Sequence, residues 1–176
     1  MNLYPQLTNV RSSLIDHFYA LQRPAWRDSL WAKLIGKSTN LARFPEQAPQ
    51  KSSNRKLVAV QDIPLRQIVG TLNRHNDFDH KFRPLKSYLR DRWVNVHCSL
   101  ENGGWDPILV HMVGNRYYIE DGHHRVSIAR SLGMEFIQAN VWEYHREYHP
   151  IDGRQSKECL PVRCPERSCV EAYAAQ

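Results

Sequence analysis

The chain of 176 residues is 41% hydrophobic, 24% charged and 10% aromatic, and its 24 Lys and Arg against 18 Asp and Glu give a formal net charge of +6. That length and balance suit about one globular domain and exclude wholesale disorder, collagen-like repeats and a coiled coil. No apolar run nears the roughly 18 to 20 residues that cross a bilayer, and MNLYPQLTNVRSSL has no apolar signal core, so a cytoplasmic protein with reduced cysteines and no membrane partner is expected.

The whole positive excess lies in residues 1–56, where nine Lys and Arg face only Asp16, Asp28 and Glu46. Such an extension either grips nucleic-acid phosphates or forms the solvated face of helices. Leu14, Ile15, Phe18 and Leu21 recur at helical spacing behind Ser12 and Ser13 and predict a helix over 12–22. Pro24 then opens a second helix carrying Trp26, Leu30, Leu34 and Ile35 and stopped at Gly36, so a helical hairpin is expected. Residues 37–56 are rich in Ser, Asn, Gln, Pro and Lys and read as a linker.

LVAV at 57–60 reads as a short buried strand, and IPLRQIV at 63–69 as an extended segment leading into the ionisable loop GTLNRHNDFDHKF. From Pro84, the residues Leu85, Tyr88, Leu89, Trp93, Val96 and Leu100 step by three or four and predict an amphipathic helix. PILVHMV at 107–113 and RYYIE at 116–120, joined by Gly114-Asn115, predict a β-hairpin. Val126, Ala129 and Leu132 mark a short helix ended by Gly133, and FIQANVWEY a last strand. The organisation expected is a basic helical extension and linker over 1–56, a mixed α/β domain over 57–144, and a tail or packed extension over 145–176.

The chemistry concentrates where a strand passes through glycine into a helix, at Ile119-Glu120-Asp121-Gly122-His123-His124-Arg125. Unpaired backbone N–H groups and the positive end of the helix dipole make such a junction an anion site before side chains are counted. Gly122 tolerates positive φ and lacks a Cβ that would hold a phosphate away. Arg125 offers a planar cation for bidentate contact, and His123 and His124 can donate to phosphate oxygens or carry a proton. Asp121 would repel a passively bound phosphate unless it holds Mg²⁺ or takes a proton, which points to reaction as well as binding. The bland alternative has Asp121 capping the helix and Arg125 pairing with Glu120 or Asp121.

PILV, the YYIE strand, DGHHRVSIARSLG and FIQANV resemble the core of the ParB/sulfiredoxin superfamily over residues 57–144. IPLRQIVGTLNRHNDFDHKFRPL, LRDRW and DGHHRVSIAR further resemble a group of bacterial ParB-like proteins with a helical N-terminal extension. The resemblance implies a small mixed sheet with flanking helices that binds a nucleoside di- or triphosphate at the strand-to-helix turn. Partition-type ParB proteins carry a Gly-Glu-Arg-Arg type motif and a downstream helix-turn-helix domain, and sulfiredoxins a cysteine where His123 stands; this chain has neither pattern. Asp-Gly-His-His-Arg is closer to the free serine kinase branch, which implies catalytic Asp121 and His124, with Gly122, His123 and Arg125 around the phosphates. That branch needs a further carboxylate, for which Asp77 and Asp79 are the candidates.

Phosphoryl transfer requires a positioned hydroxyl, a base and neutralisation of the moving group, usually with Mg²⁺. Asp77, Asp79 and Asp121 could fill the base or metal positions and Arg74 and Arg125 the charge, or Asp77 and Asp79 could be a solvated pair. The expected function is nucleotide binding with phosphoryl transfer or hydrolysis, dependent on ATP, ADP or CTP. A DNA-binding or nuclease protein using the basic N-terminal region, and a non-catalytic nucleotide-sensing module, are the alternatives. His145 and His149 before Cys159, Cys164 and Cys169 could bind zinc or be ordinary side chains. Trp26, Trp31, Trp93 and Trp142 suit core packing, whereas Trp105 in its loop could edge the nucleotide pocket or lid the core.

Overall fold

The computed structural model describes residues 5–45, 55–101 and 103–144. His145, His149 and the cysteines from Cys159 onward lie outside them, as does the C-terminal tail. The elements run α1 (Pro5–Leu34), β1 (Ala42–Arg43), β2 (Arg55–Leu57), β3 (Gln61–Pro64), β4 (Ile68–Thr71), α2 (Arg90–Glu101), β5 (Ile108–Val113), β6 (Arg116–Asp121), α3 (His123–Ser131) and β7 (Phe136–Tyr144), with 3-10 turns at Leu65–Gln67 and Ser87–Leu89.

They form a mixed sheet in the order β1-β4-β6-β5-β7-β2, with β3 also pairing β7. Gly114, at φ +62°, closes the antiparallel β5–β6 hairpin that Gly114-Asn115 predicted. The pairs β1–β4, β4–β6 and β5–β7 are parallel, while β2 and β3 run antiparallel to β7. The chain is therefore the expected mixed α/β fold, a small sheet with flanking helices and a helical N-terminus.

Ile63, Ile68, Ile108, Val110, Ile119 and Val141 from the sheet bury against Trp93, Val94, Val126 and Ile128 from α2 and α3. Apolar area removed from water at about 25 cal/mol per Å² drives that packing. Phe18 of α1 reaches the same core, its ring 5.8 Å from that of Trp93 at a steep angle.

Four local expectations are corrected. The N-terminal hairpin is one continuous helix with Pro24 inside it. An interior proline forfeits a backbone hydrogen bond and costs about 3 kcal/mol, but Phe18, Ala25 and Ala32 form one buried face on both sides of it, so packing holds the two halves in line. Trp26 and Trp31, expected in the core, are 58% and 68% exposed because each stands one position, about 100° around the helix, from the buried Ala25 and Ala32. Of the buried strand read at 57–60 only Leu57 lies in a strand, at the end of β2, while 58–60 join β2 to β3 and both Leu57 and Val60 are exposed; the helix read from Pro84 begins only after the 3-10 turn at Ser87–Leu89. Among the described residues, no helix is long and apolar enough to cross a membrane.

Candidate functional site

Strand β6 ends at Asp121, and Gly122 turns the chain into α3 with φ +108° and ψ 16°. No side chain caps this helix, and its first internal bond runs from the Val126 N–H to the Gly122 carbonyl. The amides of His123, His124 and Arg125 thus stand without helical acceptors, at the positive end of the dipole. The place of the missing Cβ differs from expectation. It would point at buried Ile108, 2.4 Å from Cγ2, rather than toward a ligand, so Gly122 is required by its backbone angle and by packing.

Beside this turn lies a cavity of about 380 Å³ lined by Arg74, Tyr88, Leu89, Arg92, Val96, Asp121, Gly122, His123, His124 and Arg125. Three guanidinium groups therefore converge on it, but they are not equivalent. Arg125 is engaged: Nη1 donates to the carbonyls of Asp106 (2.5 Å) and Pro107 (3.2 Å), and Nη2 pairs with Asp121. Its main work is to rivet the head of α3 to the start of β5, which is the bland pairing joined to a structural role. The side chain of Arg74 is 49% exposed and holds Asp77 at 3.3 Å. Arg92, exposed on the first turn of α2, has no carboxylate partner among the described residues.

Sequence reasoning missed Arg92, although a signal existed. A cation in the first turn of a helix opposes the dipole, which makes Arg92 in RDRW locally unfavourable and worth asking about.

The two histidines are neutral. Burial first, and then the Arg74 cation, push His123 and His124 down to about 4. The Oγ1 of Thr71, buried on β4, lies 2.6 Å from His123 Nε2. That oxygen also accepts the N–H groups of Asn73 and Arg74 and donates to the Ile119 carbonyl at 3.3 Å, so the Thr71 hydroxyl ties the His123 ring to β4 and β6. The Nδ1 of His124 is buried with no hydrogen-bond partner among the described residues. Phe78 stacks on His123 at 6.1 Å and meets the His124 ring edge-on at 5.5 Å, fixing both rings.

The acidic candidates separate. Asp121 lies on the cavity with its side chain 69% exposed. Asp77 stands just behind the wall, accepting from Arg74 and, at 2.5 Å, from the Tyr88 hydroxyl. That hydrogen bond raises the pKa of Tyr88.

Asp79 is not brought to the cavity. It is fully buried, accepts the backbone N–H groups of Lys81 and Arg83, and pairs with the Arg83 guanidinium at 2.6 Å, which also reaches Asp28 of α1. Asp79 is a structural carboxylate that folds its loop.

Trp105 is also absent from this cavity. Its indole donates to the Val96 carbonyl at 2.8 Å and packs on the core, so it serves as the lid. No cluster of three or more His, Cys, Asp or Glu side chains that could hold a metal occurs among the described residues.

No family model matches the chain, and no curated protein matches it. Among solved structures, a sulfiredoxin from Arabidopsis thaliana is 24% identical with a TM-score of 0.37, the match covering 48% of this chain and 84% of that one. A conserved hypothetical protein from Pyrococcus furiosus is 21% identical with a TM-score of 0.37, covering 52% of this chain and 35% of that one.

Proposed function

We propose that the chain is a ParB/sulfiredoxin-like protein that binds a nucleoside di- or triphosphate in the α3 cavity and transfers or hydrolyses its terminal phosphoryl group. One observation supports it above the others: Arg74, Arg92, which has no carboxylate partner among the described residues, and the head of α3 share one cavity of about 380 Å³. Each alone is ordinary. Together they match the negative charge of a polyphosphate, and the volume falls within the roughly 300–1,000 Å³ of small-molecule sites.

In this reading the amides of His123, His124 and Arg125 and the guanidinium groups of Arg74 and Arg92 hold the phosphates. Neutral His123 and His124 add hydrogen bonds without repelling those arginines. Asp121, oriented by Arg125, takes the proton of an attacking hydroxyl or water, whose oxygen bonds to the terminal phosphorus as the bond to the leaving phosphate breaks. Mg²⁺ would supply charge neutralisation. With Asp121 as the exposed carboxylate at the cavity, it fits as an ion carried in by the nucleotide, taking most of its oxygens from phosphate and water.

Calorimetry and thermal shift with ATP, ADP, CTP and GTP, with and without Mg²⁺, followed by product analysis, test the proposal. Arg92→Ala is expected to weaken binding about tenfold or more, the loss of one charge-assisted contact, while the free protein melts as before. Asp121→Asn keeps binding and loses turnover. Unchanged affinity in Arg92→Ala refutes the site, and stabilisation by ligand without any product leaves a sensing module. The exposed Arg11, Arg23, Arg27 and Lys33 of α1 keep DNA binding as the second reading, for which affinity would fall steeply with salt.

A further inference from the structure

The cavity has two chemistries. Arg74, Asp121, His123, His124 and Arg125 make one side ionic, whereas the side built by α2 and the turn before it presents Tyr88, Leu89 and Val96. We infer that this second side seats the nucleobase, with the Tyr88 ring as its stacking platform; the inference rests on the nucleotide reading above.

Tyr88 is 70% exposed, an uncommon position for a large aromatic ring at the edge of a cavity. It is not loose. Its hydroxyl donates to Asp77 at 2.5 Å, and Asp77 is itself held by Arg74 at 3.3 Å. The tether grips the ring by its edge and leaves a face open, so stacking a flat ligand on it costs little side-chain entropy.

Leu89, buried in the 3-10 turn, and half-buried Val96 of α2 line the cavity beside the ring and make that wall apolar. Arg92, four residues after Tyr88, places a cation one turn along the same wall, at the border with the ionic side. An aromatic base joined to a polyphosphate matches this order of groups, and a bare phosphate ester matches only half of it. Stacking tolerates any base, because every base has a π face. The site therefore demands a nucleobase without choosing strongly among the four.

The test compares ATP, CTP and inorganic tripolyphosphate by calorimetry on the full chain, in wild type, Tyr88→Phe and Tyr88→Ala. Tyr88→Phe should bind both nucleotides within about twofold of wild type. Tyr88→Ala should lose roughly tenfold or more for both, the usual effect of removing a stacking partner, with tripolyphosphate affinity unchanged. In wild type, transferred nuclear Overhauser effects should connect the base protons to the Tyr88 ring.

Equal weakening of nucleotide and tripolyphosphate in Tyr88→Ala would overturn the inference, since Tyr88 would then act only through Asp77 and Arg74. So would unchanged nucleotide affinity in that variant, or missing Overhauser contacts. Wild type that prefers tripolyphosphate sinks the base site and spares the phosphate site. Binding of none of the three sinks both.

Discussion

Gly122→Ala tests what the glycine at the head of α3 is for. Its φ of +108° lies where an L side chain is strained by about 1–2 kcal/mol. The new methyl would also stand 2.4 Å from Ile108 Cγ2 and 2.7 Å from Ile108 Cβ. Both atoms belong to the base of a buried β-branched side chain that cannot swing aside. Overpacking of that kind costs about 1–3 kcal/mol, so the two effects together remove about 2–5 kcal/mol from a stability of roughly 5–15 kcal/mol. At about 2–4 °C per kcal/mol for a chain of this size, the melting temperature should fall by about 4–20 °C.

Urea denaturation of Gly122→Ala in wild-type and Ile108→Ala backgrounds isolates the contact. The second background lacks Cγ2, so the same substitution should cost less there, and the remainder reports the backbone strain together with the approach to Cβ, which alanine keeps. A cost below about 0.5 kcal/mol in the wild type, or identical costs in both backgrounds, would refute the packing account. Lost nucleotide affinity at unchanged stability would return the glycine to the ligand.

Acid should destabilise the fold through His123 and His124. Their pKa near 4 in the folded chain, against 6.5 unfolded, means that the unfolded chain binds more protons as pH falls below about 6.5. Stability present above that pH is lost on the way to pH 4, on the order of 3 kcal/mol per histidine at most; urea midpoints at pH 7, 5.5 and 4 would show it, and a flat profile would refute it. Asp79→Asn removes the charge facing Arg83 inside the fold and should cost about 3–5 kcal/mol, read by chemical denaturation. Thr71→Val leaves His123 Nε2 without its hydroxyl partner and should cost about 1–3 kcal/mol, with a change in the His123 ring nitrogen shifts by NMR.

Local features were legible in the sequence, and long-range pairings were not. The β5–β6 hairpin, α3 and β7 follow from turn chemistry and periodicity within a dozen residues. The site's location was legible for the same reason, since a strand, a glycine and a helix start are all read over a short window.

Its charge assignments were not. Arg125 is a candidate phosphate ligand by residue type, yet the Asp106 and Pro107 carbonyls that occupy it lie 19 and 18 residues away. Asp77 and Asp79 differ by two positions and look alike in a string. They part because β-bridge pairing of Asp79 with Asn40 and its ion pair with Arg83 turn it inward. Pro24 misled because the cost of an interior proline is local, whereas the packing that offsets it is tertiary.

Asp28 on α1 contacts Arg83, Arg83 contacts Asp79, and the loop they steady also supplies Arg74 and Asp77. The N-terminal helix thus braces the loop that carries Arg74, as well as covering Trp93. Trimming the protein to its sheet would strip one flank of that tryptophan and leave Arg83 with a single counter-ion. Shortened versions made for ligand screening or crystallisation should keep α1 whole, or they will report on a pocket whose footing has been removed.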